Sequence, residues 1–370
     1  MRWSRCGFLA FLASAAVVLA CGSEARADQS TGKYFYFGYD YGSQALYNPL
    51  WVFVNRSFDV LQIRAGDRNV FEQEYASNGA NVLRNVAHPT AAVSDLGWGP
   101  FLKQEVLPLS WRANTARWTP NYSLHLLGGG MTYAALREWY EAHGVPLPWL
   151  FSSVTVMTSA LVNETLENKG IRGRNTDCLA DLYLFDLGGI LLFSVEPVKR
   201  FFGRELMIAD WSLQPTFTFP GADLHNQGNY FAAKWALPFH KPLRLFSYFG
   251  LSTMFGLSYK IAGEYSVSAA GGARSTRLVN LSTNATMNTV SWAPSGGLFV
   301  DRNNSVLAAL QVSNVQDYFV SFNLYPNAIL RTDPGVGLWT VVDKQGHFIV
   351  GAVTTLTFGV GLGFGRLPVQ

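Results

Sequence analysis

From Glu205 to the C-terminus, apolar residues alternate with polar or small ones at period two, the spacing of a strand with two different faces. The longest run is Phe348 to Gly365. Phe348, Val350, Ala352, Thr354, Leu356, Phe358, Val360, Leu362 and Phe364 share one face, and Gly351, Thr355, Thr357, Gly359, Gly361, Gly363 and Gly365 dominate the other. A strand reads this way when one side meets lipid and the other a lumen. Shorter runs of the same kind occur at Trp211–Phe219, Tyr230–Phe239, Tyr248–Ser258, Val306–Val312 and Tyr318–Leu324. With weaker pieces near Tyr265, Leu278 and Trp339, roughly eight or more strands are available, sufficient for a small closed barrel. Strands of a soluble sandwich alternate too. Strand length and aromatic content favour the membrane form.

The pattern before Glu205 is different. Gly32 to Gly42 predicts an aromatic strand ended by glycine turns. Between Asn48 and Pro120, repeated X-Pro steps predict short helices and loops. Residues 121–203 predict three helices: Asn121 to His143; one that follows Pro146 and Pro148 and ends near Asn168-Lys169-Gly170, with Gly170 as terminator; and one from Asp177, capped by Asn175 or Thr176, through Leu192. The apolar cores Leu147–Val162 and Leu182–Val195 are shorter than the approximately 20 residues of a membrane span, so they read as buried or interfacial.

At the N-terminus, Arg2 and Arg5 precede an apolar stretch, Phe8 to Ala20, and the small-residue site Ala25-Arg26-Ala27. Residues 1–27 therefore read as a secretory signal peptide. Val18-Leu19-Ala20-Cys21 also has the form of a lipobox, which would place a lipid anchor on Cys21. The predicted organisation is thus a leader at 1–27, an N-terminal strand with irregular structure at 28–120, a helical cluster at 121–203 and barrel strands at 204–370. The fold class is α+β, an outer-membrane-type antiparallel β-barrel with an associated α-helical cluster.

Composition agrees with this destination. Charged residues are 14% of the chain and aromatic residues another 14%, against about a quarter charged in soluble domains. The net charge is +3 and falls toward neutrality without the leader, so no nucleic-acid partner is expected. Membrane lipid is the expected partner, protein partners are not identified, and the cell outer membrane is the expected location. Of three cysteines, Cys6 and Cys21 lie in the leader; the remaining Cys178 allows no intramolecular disulfide and reads as a small buried hydrophobe.

Candidate chemistry concentrates in the helical segment, where His125, Glu138, Glu164, Glu167, Asp177, Asp181 and Asp186 interrupt apolar sequence. Glu164 and Glu167 are three apart and Asp177 and Asp181 four apart, so each pair shares a helix face. Converging on His125, the set His125, Glu164, Glu167, Asp177 and Asp181 offers acid, base or metal-ligand chemistry. Helix capping or a buried polar network accounts for the same residues. No cofactor motif is present, and no metal is specified by the spacing. Gly128-Gly129-Gly130 lacks the Lys-Ser or Lys-Thr of a phosphate loop and reads as a close helix approach. Ser152, Ser153 and Ser123 have no nucleophile-elbow context. Asp301-Arg302-Asn303-Asn304 reads as a polar turn or a ligand-binding rim.

The leader, His125-Leu126-Leu127-Gly128-Gly129-Gly130, Asn163-Glu164-Thr165-Leu166-Glu167-Asn168, and Asp177 through Phe193 followed by strands resemble uncharacterised exported proteins of Gram-negative bacteria. The resemblance covers approximately residues 121–365 and implies an outer-membrane location, not an activity. Two functions follow as expectations: a barrel with a structural, transport or lipid-contacting role, its helices plugging or capping it, or a membrane-embedded envelope enzyme acting on a lipid-like substrate through the His/carboxylate cluster.

Overall fold

The computed structural model describes residues 32–64, 67–107, 119–219, 221–280 and 288–367. The leader and Cys21 lie outside the described residues. The chain is α+β. Helices occupy the N-terminal half and a thirteen-stranded, mostly antiparallel sheet the C-terminal half.

The short helices expected after Asn48 are α1 (Pro49–Phe58), α2 (Tyr75–Ala87) and α3 (Pro89–Leu96). Asn48 starts α1 by accepting from the N–H groups of Leu50 and Trp51, which satisfies two of the donors that every helix start leaves open. The cluster proper contains α4 (Gly130–Ala142), α5 (Pro148–Glu167) and α6 (Leu187–Phe193). Two π-helical stretches, Thr119–Gly129 and Ala180–Asp186, lead into α4 and α6. The first predicted helix is therefore a π-helix followed by an α-helix, and the third is an α-turn at Asp177–Leu179, a π-helix and then α6. Thr176 precedes the third without a side-chain cap, and the Asp177 N–H is taken by Asn175 Oδ1.

The predicted strand at Gly32–Gly42 does not form. Glu138 of α4 takes the N–H groups of Tyr34 (2.9 Å), Phe35 (2.8 Å) and Tyr36 (2.8 Å), so these amides pair with a carboxylate and not with a sheet.

The strands are β1 (Ala209–Asp210), β2 (Thr216–Phe219), β3 (Asp223–His225), β4 (Phe231–Leu237), β5 (His240–Phe249), β6 (Ser252–Ala262), β7 (Tyr265–Asn280), β8 (Asn288–Arg302), β9 (Ser305–Ser313), β10 (Val320–Leu324), β11 (Val336–Val342), β12 (Phe348–Thr354) and β13 (Gly361–Gly365). Strands β4 to β13 form a continuous meander, and β13 pairs with β2 in parallel. As a ladder of thirteen strands the sheet is not a closed ring: its order ends at β1 and β3. This corrects the expectation of a fully closed barrel.

The long run from Phe348 to Gly365 is also two strands and a turn. Phe358 (φ 52°) and Gly359 (φ 83°) reverse the chain, and the Trp51 ring packs so closely on Gly359 that a Cβ there would lie 2.5 Å from it. Alternation survives the turn because Leu362 and Phe364 return to the exposed face of Phe348 and Val350.

The helical cluster packs beside the sheet. A Cβ on Gly128 would lie 2.5 Å from the ring of Phe231, which is fully buried although its register places it on the face of the exposed Phe255. The glycine run is thus a close approach. Gly130 meets Phe193 and Gly189 on α6, and Gly129 meets Asp186 and Arg56.

Burial pushes the Glu138 carboxyl up to about 7 against the pull of its three amide partners. The folded chain then holds a proton that the unfolded chain has released, so this group makes stability fall as pH rises from about 4.5 to about 7. Glu138→Gln is expected to remove that slope in urea titrations at a series of pH values. Glu138→Ala is expected to cost more below about pH 4.5 than above about pH 7, at least about 2 kcal/mol at low pH, since it leaves three backbone N–H groups without their partner.

Candidate functional site

His125 lies on the first π-helix, Glu164 on α5 and Asp181 on the second π-helix. Single π-helical turns are rare and recur at functional sites. Here the geometry has a specific consequence. At 3.6 residues per turn, residues five apart point about 140° away from each other, whereas a π-helix bonds i to i+5 and brings them toward one side. Asp181 and Asp186 consequently both face His125.

The imidazole is held from behind. His125 Nδ1 lies 3.0 Å from Asp186 Oδ2, and Arg56 Nη2 donates to Asp186 Oδ1 at 2.6 Å while its Nε donates to Ser159 Oγ at 3.1 Å. With Nδ1 engaged by Asp186, Nε2 faces Asp181, whose Oδ2 lies 3.9 Å away, beyond hydrogen-bond reach. One donor atom each from His125, Glu164 and Asp181 fall within 4.8 Å of one another.

Glu164 is 2% and Asp181 4% exposed. Glu164 Oε1 and Asp181 Oδ1 are both buried without a hydrogen-bond partner. Burial, then repulsion from Asp181 and Glu167, holds the Glu164 carboxyl far above the ordinary carboxylate range. Asp181 is raised in the same direction by burial, against the attraction of His125. For His125, burial opposes the charged form, but Asp181 and Asp186 outweigh it and raise the imidazole to about 10. The site therefore combines a held imidazole with buried carboxyls whose proton affinity is raised, the elements of general acid and base chemistry or of a metal centre.

Of the five candidates, the structure brings His125, Glu164 and Asp181 together. Glu167 and Asp177 stand at the edge of the group, partly exposed. The Glu167 carboxyl is pushed up to about 7 by burial and by Asp177. Arg56, Ser159 and the orienting role of Asp186 were not found from the sequence. Arg56 is over a hundred residues from its partner and carried no motif, and a 3.6-residue period turns Asp186 away from Asp181.

The remaining sequence candidates have structural roles. Ser152 and Ser153 donate to carbonyls one turn back in α5. Asp301 is buried against Lys234, and Asn303 and Asn304 form the β8–β9 turn with positive φ, the conformation asparagine tolerates best after glycine. Cys178 is a free, fully buried thiol whose proton affinity burial raises, so it is inert.

Comparisons with protein-family models, characterised proteins and solved structures give no match.

Replacing Arg56 by methionine strips a fully buried Asp186 of its cation and is expected to cost roughly 3–5 kcal/mol. Adding Asp186→Asn should recover part of the loss in chemical denaturation, because the asparagine Oδ1 still accepts from His125 and carries no charge.

Proposed function

We propose that this protein is an outer-membrane protein whose sheet, open as a thirteen-strand ladder, curls into a barrel across a seam between β1–β2 and β3–β4, and whose flanking helices carry a buried His/carboxylate centre. The observation that carries the reading is an inversion of the usual burial order along the strands. In β6, Ser252, Met254 and Ser258 are buried, whereas Phe255, Leu257, Tyr259 and Ile261 are between 47% and 64% exposed. Leu298, Leu338, Phe348, Val350, Leu362 and Phe364 continue the apolar outer face. The opposite face holds Lys234 paired with Asp301, Gln311 bonded to Tyr248, and Asn226 bonded to Asn323. Apolar out and polar in is the arrangement lipid selects, since a polar outer face loses free energy in hydrocarbon.

Register supports a seam. Ala209 pairs with Ala232 and Thr218 with Asp223 in one unbroken register, and Trp211 N–H to Tyr230 C=O (2.8 Å) and Leu213 N–H to Gly228 C=O (3.1 Å) bridge the interval. On this reading β1 with β2 and β3 with β4 are two continuous strands, which reduces thirteen to eleven. An odd ring of antiparallel neighbours requires one parallel pair, and β13 with β2 supplies it. An odd count departs from the even number usual in bacterial barrels.

The lumen is filled, not open. Trp211 packs on Phe246 and Phe299 with ring centroids 5.7 and 5.6 Å apart, and Tyr248 lies 4.7 Å from Phe299. That favours a structural, lipid-contacting barrel over a solute channel. No single helix among the described residues is long and apolar enough to cross a membrane. Trp149, Leu150, Phe151 and Val154 on α5, and Leu187 and Leu191 on α6, are exposed and extend the apolar surface around the cluster.

A second reading, an envelope enzyme acting on a lipid-like substrate, is favoured by one observation: the partnerless buried oxygens of Glu164 and Asp181 beside His125.

Phe255→Arg separates a membrane barrel from a soluble sheet. At a 64% exposed site, a soluble protein changes by no more than about 0.5 kcal/mol, whereas a lipid-facing arginine costs roughly 2–4 kcal/mol near the bilayer midplane. Folding into lipid vesicles, followed by heat-dependent gel mobility, should show that larger loss; an unchanged folding equilibrium would sink the membrane reading. For the enzyme reading, His125→Ala should keep the heat-dependent mobility and lower turnover of an envelope lipid extract at least about 100-fold.

A further inference from the structure

We propose that His125 Nε2, Glu164 and Asp181 bind a first-row divalent metal ion such as Zn²⁺ or Mn²⁺. The proposal goes beyond the membrane reading and does not depend on it.

Three features converge. First, three ligand-type atoms from three separate helical elements lie within 4.8 Å of one another. Donors at about 2.0–2.2 Å around a tetrahedral ion lie about 3.3–3.6 Å apart, so an ion would draw the widest pair in by roughly 1 Å, a side-chain rotamer adjustment. Second, Glu164 Oε1 and Asp181 Oδ1 are buried and lack hydrogen-bond partners. A buried carboxylate with a partnerless oxygen costs free energy, and a dication bound between the two side chains would offset that cost by neutralising their charge. Third, the imidazole is already set as a ligand. Asp186 engages Nδ1 at 3.0 Å, Arg56 anchors Asp186 at 2.6 Å, and Nε2 is left toward the carboxylates. A carboxylate on the far ring nitrogen is the outer-sphere partner that metal-bound histidines typically have.

The donor set selects the ion. An imidazole nitrogen disfavours Mg²⁺ and Ca²⁺, which take oxygen ligands, and the absence of thiolate disfavours soft ions. Cys178 is not among the ligand atoms. Three protein ligands leave an open position, the form of a reactive and not a purely structural site. His125, with 12% of its side chain exposed, is the most accessible of the three.

The test uses the full chain in detergent, stripped with chelator and titrated with Zn²⁺ by calorimetry, and with Co²⁺ by absorption. One equivalent is expected. Glu164→Gln and Asp181→Asn should each weaken binding at least 10-fold, and Asp186→Asn, a positioning change, should weaken it about 10- to 100-fold. Circular dichroism checks that each variant folds. Should a variant unfold, the wild type still decides: with Mn²⁺ bound, pulsed electron paramagnetic resonance should detect one imidazole nitrogen coupled to the metal. No stoichiometric binding, affinity unchanged in a folded Glu164→Gln variant, or a bound ion without nitrogen coupling would each overturn the proposal. All three readouts are independent of whether the protein inserts in vesicles.

Discussion

Asn55 holds the two halves of the molecule to one another. In the interval where the ladder between β1–β2 and β3–β4 is interrupted, its Nδ2 donates to the Leu213 carbonyl at 3.2 Å and its Oδ1 accepts from the Gly228 N–H at 2.7 Å. Trp51 Nε1 donates to the same carbonyl at 3.0 Å. Backbone polar groups buried this deeply must be paired, and here α1 does the pairing. The hairpin is consequently buried throughout Ile208–Thr216 and Leu224–Ala232, and cannot be shifted without exposing or orphaning those groups.

With that hairpin fixed, the helices have one place to go. Their glycine run closes on Phe231, and the α4–α6 contact closes at Gly130 and Gly189. The same packing that hides one stretch of the apolar outer face leaves the rest uncovered, from Leu245 through β6 and on to Phe364. On the covered face of the sheet the bulky side chains are accompanied by polar pairs, Lys234 with Asp301 and Gln311 with Tyr248, and the exposed large hydrophobics lie on the other face.

The His125 centre depends on the same close approach. Gly129 leaves room for Asp186 and Arg56, where a Cβ would lie 2.8 Å from the Asp186 carboxylate. Removing side-chain bulk from one helix thus lets a buried ion pair sit against it, and that pair sets the orientation of the imidazole. Chemistry and packing share residues, so the glycines that read as packing devices are also what admit the acidic side chains to the site.

Much of this was legible in the chain itself. Period two with apolar and small faces marked Phe348, Val350, Leu362 and Phe364 as sharing one exposed face, because side-chain direction within a strand follows parity. Helix start and stop signals likewise marked α5, which ends at Glu167, three residues before the expected terminator Gly170, and put Glu164 inside it. What parity cannot decide is where a strand turns: Phe358 and Gly359 break the run because Trp51 packs there, a contact across some three hundred residues. Nor did local sequence disclose the π-helical stretches that turn Asp186 and Asp181 to one side, the capture of the Tyr34–Tyr36 amides by Glu138, or the reach of Arg56 to Asp186. Each of these joins groups far apart in the chain, whose free energy of interaction exists only once the tertiary structure has brought them together and excluded water from between them.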